Sequence, residues 1–317
     1  MYAVLDKAEN QLHKGAYFGQ FRLLSPLKKG GMSSVYLGYD IHTGQRVAIK
    51  LVDNYSPYLE HFYREIQIMQ SLQHDYIIPC LAAGRCGTYH YLVMPYLGNG
   101  TLENLIEEQP LTLEEADIVL EQLTSALAHI HSRGVFHRDI KPSNILLDEA
   151  YRFYLADFGI ASLRGEKVLH NGHVMGTAQY IAPEIFDGQL DERSEVYAVG
   201  ILLYQMLTGR LPFDGESQWK ICLQHKEEKP LSPSFYNSSI PRSVEQVILR
   251  ALEKDPGRRF QTMEELYGAY QKALRPSLSN QLSASLRKVG QQLRKQLAPE
   301  TEPWDSITAE QQVLQAY

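Results

Sequence analysis

The sequence predicts an α+β fold in two lobes, a small β-rich one followed by a larger helical one. Three observations lead there. From Phe18 to Leu51 apolar residues alternate as strands do, interrupted by a glycine-containing loop near Gly30 and by a Thr43-Gly44 turn. From Thr112 the apolar spacing becomes helical, and the stretch 193–207 is apolar nearly all round, as in a helix buried at the centre of a lobe. Between the two regimes, Pro95-Tyr96-Leu97-Gly98-Asn99-Gly100 carries the proline and glycine punctuation of a connector.

Composition narrows the function classes. With 317 residues, 44% of them hydrophobic, the chain can bury a sizeable core as one large domain or two smaller ones. Its 31 basic and 37 acidic residues give a formal charge of −6, which argues against nucleic acid as a partner. Cys80, Cys86 and Cys222 form no Cys-x-x-Cys pair and read as free thiols in a reducing compartment, not as a metal site or disulfide frame. Asp6 and Glu9 interrupt the N-terminus, so no signal peptide is expected. No apolar stretch approaches the roughly 18–20 residues of a membrane span, and a cytoplasmic location follows as the expectation.

Taken in order, residues 1–17 are mixed and polar and read as an N-terminal extension. Phe21-Arg22-Leu23-Leu24 and Val35-Tyr36-Leu37 flank the small-residue loop, and Val47 to Leu51 forms a third strand. Small residues in such a loop let backbone N–H groups approach phosphate oxygens unobstructed. Apolar residues at 62, 66 and 69 suit an amphipathic helix that carries Glu65, and Tyr89 to Met94 returns to strand. Thr101 caps a helix, with Asn104 standing where a capping-box acid would. Thr112 and Glu115 have capping-box spacing before a helix whose buried face holds Ile118, Leu120, Leu123, Leu127 and Ile130, and Gly134 ends it. His129 and His131 lie two apart on that helix, point in different directions and read as structural. Val244–Leu252 and Met263–Ala273 read as closing helices. After Pro276 a stripe of Leu282, Leu286, Val289, Leu293 and Leu297 runs beside Arg287, Lys288, Arg294 and Lys295. This basic amphipathic helix at 282–297 suits a membrane surface, a partner, or the flank of the domain itself. The end, with Pro303-Trp304, reads as flexible.

Two segments carry the chemistry. His137-Arg138-Asp139-Ile140-Lys141-Pro142-Ser143-Asn144 sets a carboxylate five positions before a carboxamide, with a lysine between them. Asp157-Phe158-Gly159 adds a second carboxylate on a glycine-hinged turn. Asp-Phe-Gly alone is a common turn; an eight-residue match at the right distance from it is specific. Together they resemble the protein-kinase signature. Residues 18–275 resemble bacterial Hanks-type (eukaryotic-like) serine/threonine protein kinases. The resemblance implies a bilobal kinase fold, with an N-lobe at 18–94, a hinge at 95–98, a C-lobe at 99–275 and a tail at 276–317.

It also implies the site. ATP lies between the lobes, with Mg2+ held by Asn144 and Asp157 and bridging its phosphates. Asp139 orients the attacking hydroxyl and accepts its proton, while Lys141 places a positive charge near the transferred group. Such transfer needs positioning and charge stabilisation, which is why the parts are acids, amides and lysines. Lys50 contacts the α- and β-phosphates and is held by Glu65. Leu27, Lys28, Lys29, Gly30 and Gly31 form the nucleotide loop; Val35, Ala48 and Leu146 sandwich the adenine. Met94 guards the back of that pocket, and backbone groups of 95–97, Tyr96 included, face the adenine edge. Thr177, in Gly176-Thr177-Ala178-Gln179-Tyr180, bonds Asp139 and Lys141 and points to Ser/Thr hydroxyls of protein substrates. Arg259 pairs with Glu184 in a stabilising role.

The chain also departs from the family pattern. Lys28 and Ser33 stand where the first and third loop glycines usually do, and Glu195 replaces an anchoring aspartate. Between Ser162 and Thr177 there is no Ser, Thr or Tyr; the middle of that loop offers His170, Asn171 and His173. No mid-loop phosphorylation switch is therefore expected, and Glu166 is expected to pair with Arg138 instead. Two alternatives stay open: a nucleotide-binding pseudokinase scaffold, and a small-molecule phosphotransferase of kinase-like fold. The 182–184 Ala-Pro-Glu segment, which shapes a peptide ledge in protein kinases, speaks against the second.

Overall fold

The computed structural model describes residues 15–30, 33–170 and 173–274. Residues 1–14, Gly31, Asn171, the 282–297 helix and the Pro303-Trp304 end lie outside the described residues. The N-terminal lobe is an antiparallel sheet built from β1 (Tyr17–Phe18), β2 (Phe21–Lys29), β3 (Ser34–Asp40), β4 (Arg46–Asp53), β5 (Ala82–Cys86) and β6 (Tyr89–Pro95), with helix α1 (Leu59–Ser71) inserted between β4 and β5. The strand order is β1-β2-β3-β4-β6-β5. Alternation along β4 decides what the sheet presents on each face. Val47, Ile49 and Leu51 join Phe18, Phe21, Leu23 and Val93 in an apolar core. Ala48 and Lys50 must then point the other way, toward the second lobe. Strand β5 has no alternating apolar pattern in the sequence. Its Gly84 explains how it pairs: a Cβ there would lie 2.7 Å from the Tyr91 hydroxyl, so only glycine lets that ring cross the strand.

The second lobe is mainly helical: α2 (Leu102–Glu108), α3 (Leu113–Ser132), α4 (Glu192–Thr208), α5 (Gln218–Glu227), α6 (Pro233–Tyr236), α7 (Arg242–Ala251) and α8 (Met263–Leu274). Local chemistry sets the ends of its first two helices. Asn104 does the work of a capping-box acid, since its Oδ1 accepts from Thr101 N–H at 2.9 Å. Glu115 and Thr112 close the same reciprocal pair on α3. The Gly134 N–H bonds the His131 carbonyl at 2.8 Å from a left-handed φ of 69°, which stops α3. Helix α4 is buried on all sides, as its uniform apolarity predicts. It approaches α7 so closely that a Cβ on Gly200 would sit 2.8 Å from the Ala251 Cβ.

Four short strands surround the segments 137–144 and 157–159: β7 (Val135–Phe136), β8 (Ile145–Leu147), β9 (Phe153–Leu155) and β10 (Ser162–Leu163). β7 pairs with β10 and β8 with β9. The loop 137–144 is thus strung between β7 and β8, and the turn at 157–159 follows β9. A buried brace closes the lobe: Arg259 donates to both Glu184 oxygens at 2.7 Å, and Ser194 adds a third bond at 2.7 Å. Arg259 also reaches the carbonyls of Glu253, Arg193 and Lys254, so its charge is buried with its donors satisfied.

Candidate active site

A cavity of about 470 Å3 opens between the lobes and is walled by both. From the sheet come Lys28, Gly30, Ser33, Val35 and Lys50; from the second lobe come Asp139, Lys141, Asn144, Leu146, Asp157 and Thr177. Lys50 lies at its back. Its Nζ donates to Glu65 Oε1 at 2.6 Å, to Glu65 Oε2 at 2.8 Å and to Asp157 Oδ1 at 2.9 Å. Burial works against the ammonium, but these two carboxylates outweigh it and raise the Lys50 pKa. Burial would likewise raise the Asp157 carboxyl, yet Lys50 beside it brings it down to about 2. Asp157 is therefore a fixed negative charge at neutral pH.

Around Asp139 the bonds interlock. Thr177 Oγ1 donates to Asp139 Oδ1 at 2.7 Å and accepts from Lys141 Nζ at 2.8 Å. Lys141 also lies 2.6 Å from Asp139 Oδ2. Asn144 Nδ2 donates to the Asp139 carbonyl at 2.8 Å and to its Oδ2 at 2.9 Å. Both carboxylate oxygens are thereby oriented and kept as acceptors. Gly176 allows the approach of this segment: its φ is 122°, and a Cβ there would meet the Arg138 carbonyl at 2.9 Å.

The backbone that carries these groups is locally strained and braced. Arg138 and Asp157 have left-handed φ values of 69° and 63°, each costing on the order of 1–2 kcal/mol for a non-glycine residue. Glu195 supports the first: its Oε1 accepts from Arg138 N–H at 2.7 Å and its Oε2 from His131 Nε2 at 2.5 Å. The extra methylene of Glu195 is absorbed because its carboxylate, on α4, reaches both the His131 imidazole on α3 and the Arg138 N–H. His137 supports the second, with Nε2 donating to the Ala156 carbonyl at 3.0 Å and its ring packed against Phe158 at 4.8 Å.

One pairing differs from expectation. Glu166 does not pair with Arg138; its Oε2 accepts from Arg64 Nη1 on α1 at 2.8 Å and from Leu163 N–H at 3.0 Å. Arg138 instead donates from Nη2 to the Val168 carbonyl at 2.5 Å. The backbone turn at 163–166 aims Glu166 at α1, and only its longer-range field reaches Arg138.

Other sequence expectations are met unevenly by the cavity walls. Leu27, Lys29, Ala48, Met94 and Tyr96 do not line it. Ala48 and Met94 are cross-strand partners on the same sheet face as Lys50, two residues along. Leu27 falls at a register shift in β2, and the Tyr96 N–H is committed to the Arg46 carbonyl at 3.3 Å. Conversely, Tyr58, His61 and Phe62 line the cavity beside Glu65. Their three- and four-residue spacing is a one-face helical pattern that could have marked them.

The donor set bears on a cation. Among the described residues no group of three or more His, Cys, Asp or Glu is arranged to hold a metal. An aspartate and an asparagine facing one cavity suit magnesium, which takes few protein ligands and completes its shell with water and phosphate oxygens. No described helix is long and apolar enough to cross a membrane.

Comparison with known proteins agrees with this arrangement. The family model for the protein kinase domain matches residues 21–270. The chain is 40% identical over 255 residues to the serine/threonine-protein kinase PrkC of Bacillus subtilis, covering 78% of this chain and 39% of PrkC. It is 37% identical over 251 residues to the serine/threonine-protein kinase PknB of Mycobacterium tuberculosis, covering 75% of this chain and 40% of PknB. To the serine/threonine-protein kinase pkn2 of Myxococcus xanthus it is 35% identical over 265 residues, covering 79% of this chain and 32% of pkn2. The chain thus spans well under half the length of these relatives.

Proposed function

Since the chain belongs to the protein kinase family, we propose that it transfers the γ-phosphoryl group of ATP to Ser and Thr hydroxyls of proteins, as a cytoplasmic signalling enzyme. The observation that carries this reading is Thr177, whose hydroxyl bridges Asp139 and Lys141 at 2.7 and 2.8 Å. That bridge sets Asp139 and Lys141 at a fixed spacing beside the cavity, where a small aliphatic hydroxyl would approach.

In this reading Asp139 is the acceptor of the substrate hydroxyl proton, aimed by hydrogen bonds from Thr177 and Asn144. Lys141 balances negative charge on the transferred group, and Lys50, fixed by Glu65, orients the phosphate chain. Asn144, whose Nδ2 is committed to Asp139, would offer Oδ1 to a magnesium ion, and Asp157 its carboxylate. Magnesium, when bound, neutralises phosphate charge. Val35 and Leu146 flank the space for the base. Three free cysteines suit a reducing compartment and support the cytoplasmic location.

Phosphoamino-acid analysis after incubation with Mg2+, ATP and a generic protein substrate tests the acceptor. Phosphoserine and phosphothreonine without phosphotyrosine are the expected products, with Thr177→Ala slowing transfer about a hundredfold. Phosphotyrosine as the main product would overturn the assignment.

A further inference from the structure

Strand register places two lysines in one row facing the cavity. Lys28 of β2 lies opposite Val35 of β3, and Val35 lies opposite Lys50 of β4. Directly paired residues share a sheet face, so all three side chains project the same way, and all three line the cavity. Two strand spacings separate the lysines, about 10 Å between backbones. Lys50 is buried and fully engaged by Glu65 and Asp157. Lys28 is exposed, and among the described residues neither a hydrogen bond nor an ion pair occupies its ammonium. Lys28 and Asp157 line the same cavity, one from the sheet and one from the second lobe.

A lysine that merely kept a loop tip soluble would be as well placed on the outer face. This one sits on the inner face, at the position where the family pattern has a glycine whose contribution is backbone alone. We propose that Lys28 is a second cation for the phosphate chain of a nucleoside triphosphate, meeting its terminal phosphates from the sheet side while Lys50 holds the chain from behind. The inference rests on the reading of the cavity as an ATP site and adds a residue to it. A lysine ammonium is a compact point charge suited to a mobile polyphosphate. Its effect should grow with the number of phosphates and shrink with salt.

Calorimetric titration of the whole chain with ATP, ADP and adenosine tests this, comparing wild type with Lys28→Gln and Lys28→Arg. Lys28→Gln is expected to weaken ATP about three- to tenfold, ADP less, and adenosine not at all, with Lys28→Arg restoring ATP. Raising salt should narrow the gap between wild type and Lys28→Gln. Unchanged ATP affinity in Lys28→Gln would overturn the proposal and leave the ATP site standing. Equal weakening of ATP and adenosine would also overturn it, because Lys28 would then act through loop shape. Failure of the wild type to bind ATP would overturn the underlying reading and this inference with it.

Discussion

Arg64 on α1 and Glu166 in the loop that follows Asp157 are joined at 2.8 Å, across 102 positions of sequence. Arg64 is the immediate neighbour of Glu65, whose carboxylate fixes Lys50. The helix that must stay inward for Lys50 to be held is therefore tied to this loop by a carboxylate, without a phosphate. Separation of such an ion pair by outward movement of the helix is a common kinase switch.

Both partners are partly exposed, so the tie is worth on the order of 0.2–1 kcal/mol. Glu166→Gln and Arg64→Gln should each lower kcat about two- to fivefold, with no further loss in the double variant. Steady-state rates for the four proteins check this. Additive losses would show that the two residues act independently.

Glu195 carries a second prediction, one that depends on pH. Burial alone would raise its carboxyl, yet the hydrogen bond from His131 holds it below the usual carboxylate range, with Arg138 N–H assisting. A folded-state pKa below the unfolded one adds stability above the ordinary carboxylate range, about pH 4.3. That stability is lost as pH falls through the lower folded value. Glu195→Gln should cost about 3 kcal/mol at pH 7, as expected when a buried, hydrogen-bonded carboxylate is removed, and the gap should narrow as pH falls below the ordinary carboxylate range. Urea unfolding at pH 7 and pH 3.5 measures both.

Gly176→Ala separates catalysis from folding. Its added Cβ would meet the Arg138 carbonyl at 2.9 Å from a φ of 122°, so the strain falls on the backbone that carries Thr177 and on the loop that carries Asp139. Transfer should fall roughly a hundredfold while the melting temperature drops by only a few degrees. A variant with unchanged kcat would show that the Thr177 bridge tolerates displacement.

The brace between Glu184 and Arg259 makes the opposite prediction. It lies away from the cavity walls and is almost wholly buried. Glu184→Gln should destabilise by about 3–5 kcal/mol, while the protein that remains folded keeps its KM for ATP. Thermal melts alongside KM measurements distinguish this from a catalytic defect.

Much of this was readable in the sequence, because local rules and short motifs determine it. The capping pairs at Thr101 and Thr112, the stop at Gly134 and the all-round burial of α4 need only neighbouring residues to be recognised. The Lys50–Glu65 and Arg259–Glu184 pairs span 15 and 75 positions and were reached through motif resemblance. What was not legible depended on three-dimensional aim. Glu166 could have met either arginine, and only the turn at 163–166 selects Arg64. Glu195 appeared one methylene too long until its second oxygen met His131. Strand β5 has no apolar alternation to mark it, and its pairing with β6 and the close approach of Tyr91 to Gly84 exist only in three dimensions.

Intact mass after incubation with Mg2+ and ATP, with and without a generic Ser/Thr protein substrate, shows whether phosphoryl groups are transferred. Asp157→Asn serves as the control. Substrate incubated with the wild type should gain mass in steps of about 80 Da, one phosphoryl group each, and substrate incubated with the control should gain none. Thermal stabilisation by ATP without any mass gain would contradict phosphoryl transfer and leave a nucleotide-binding scaffold.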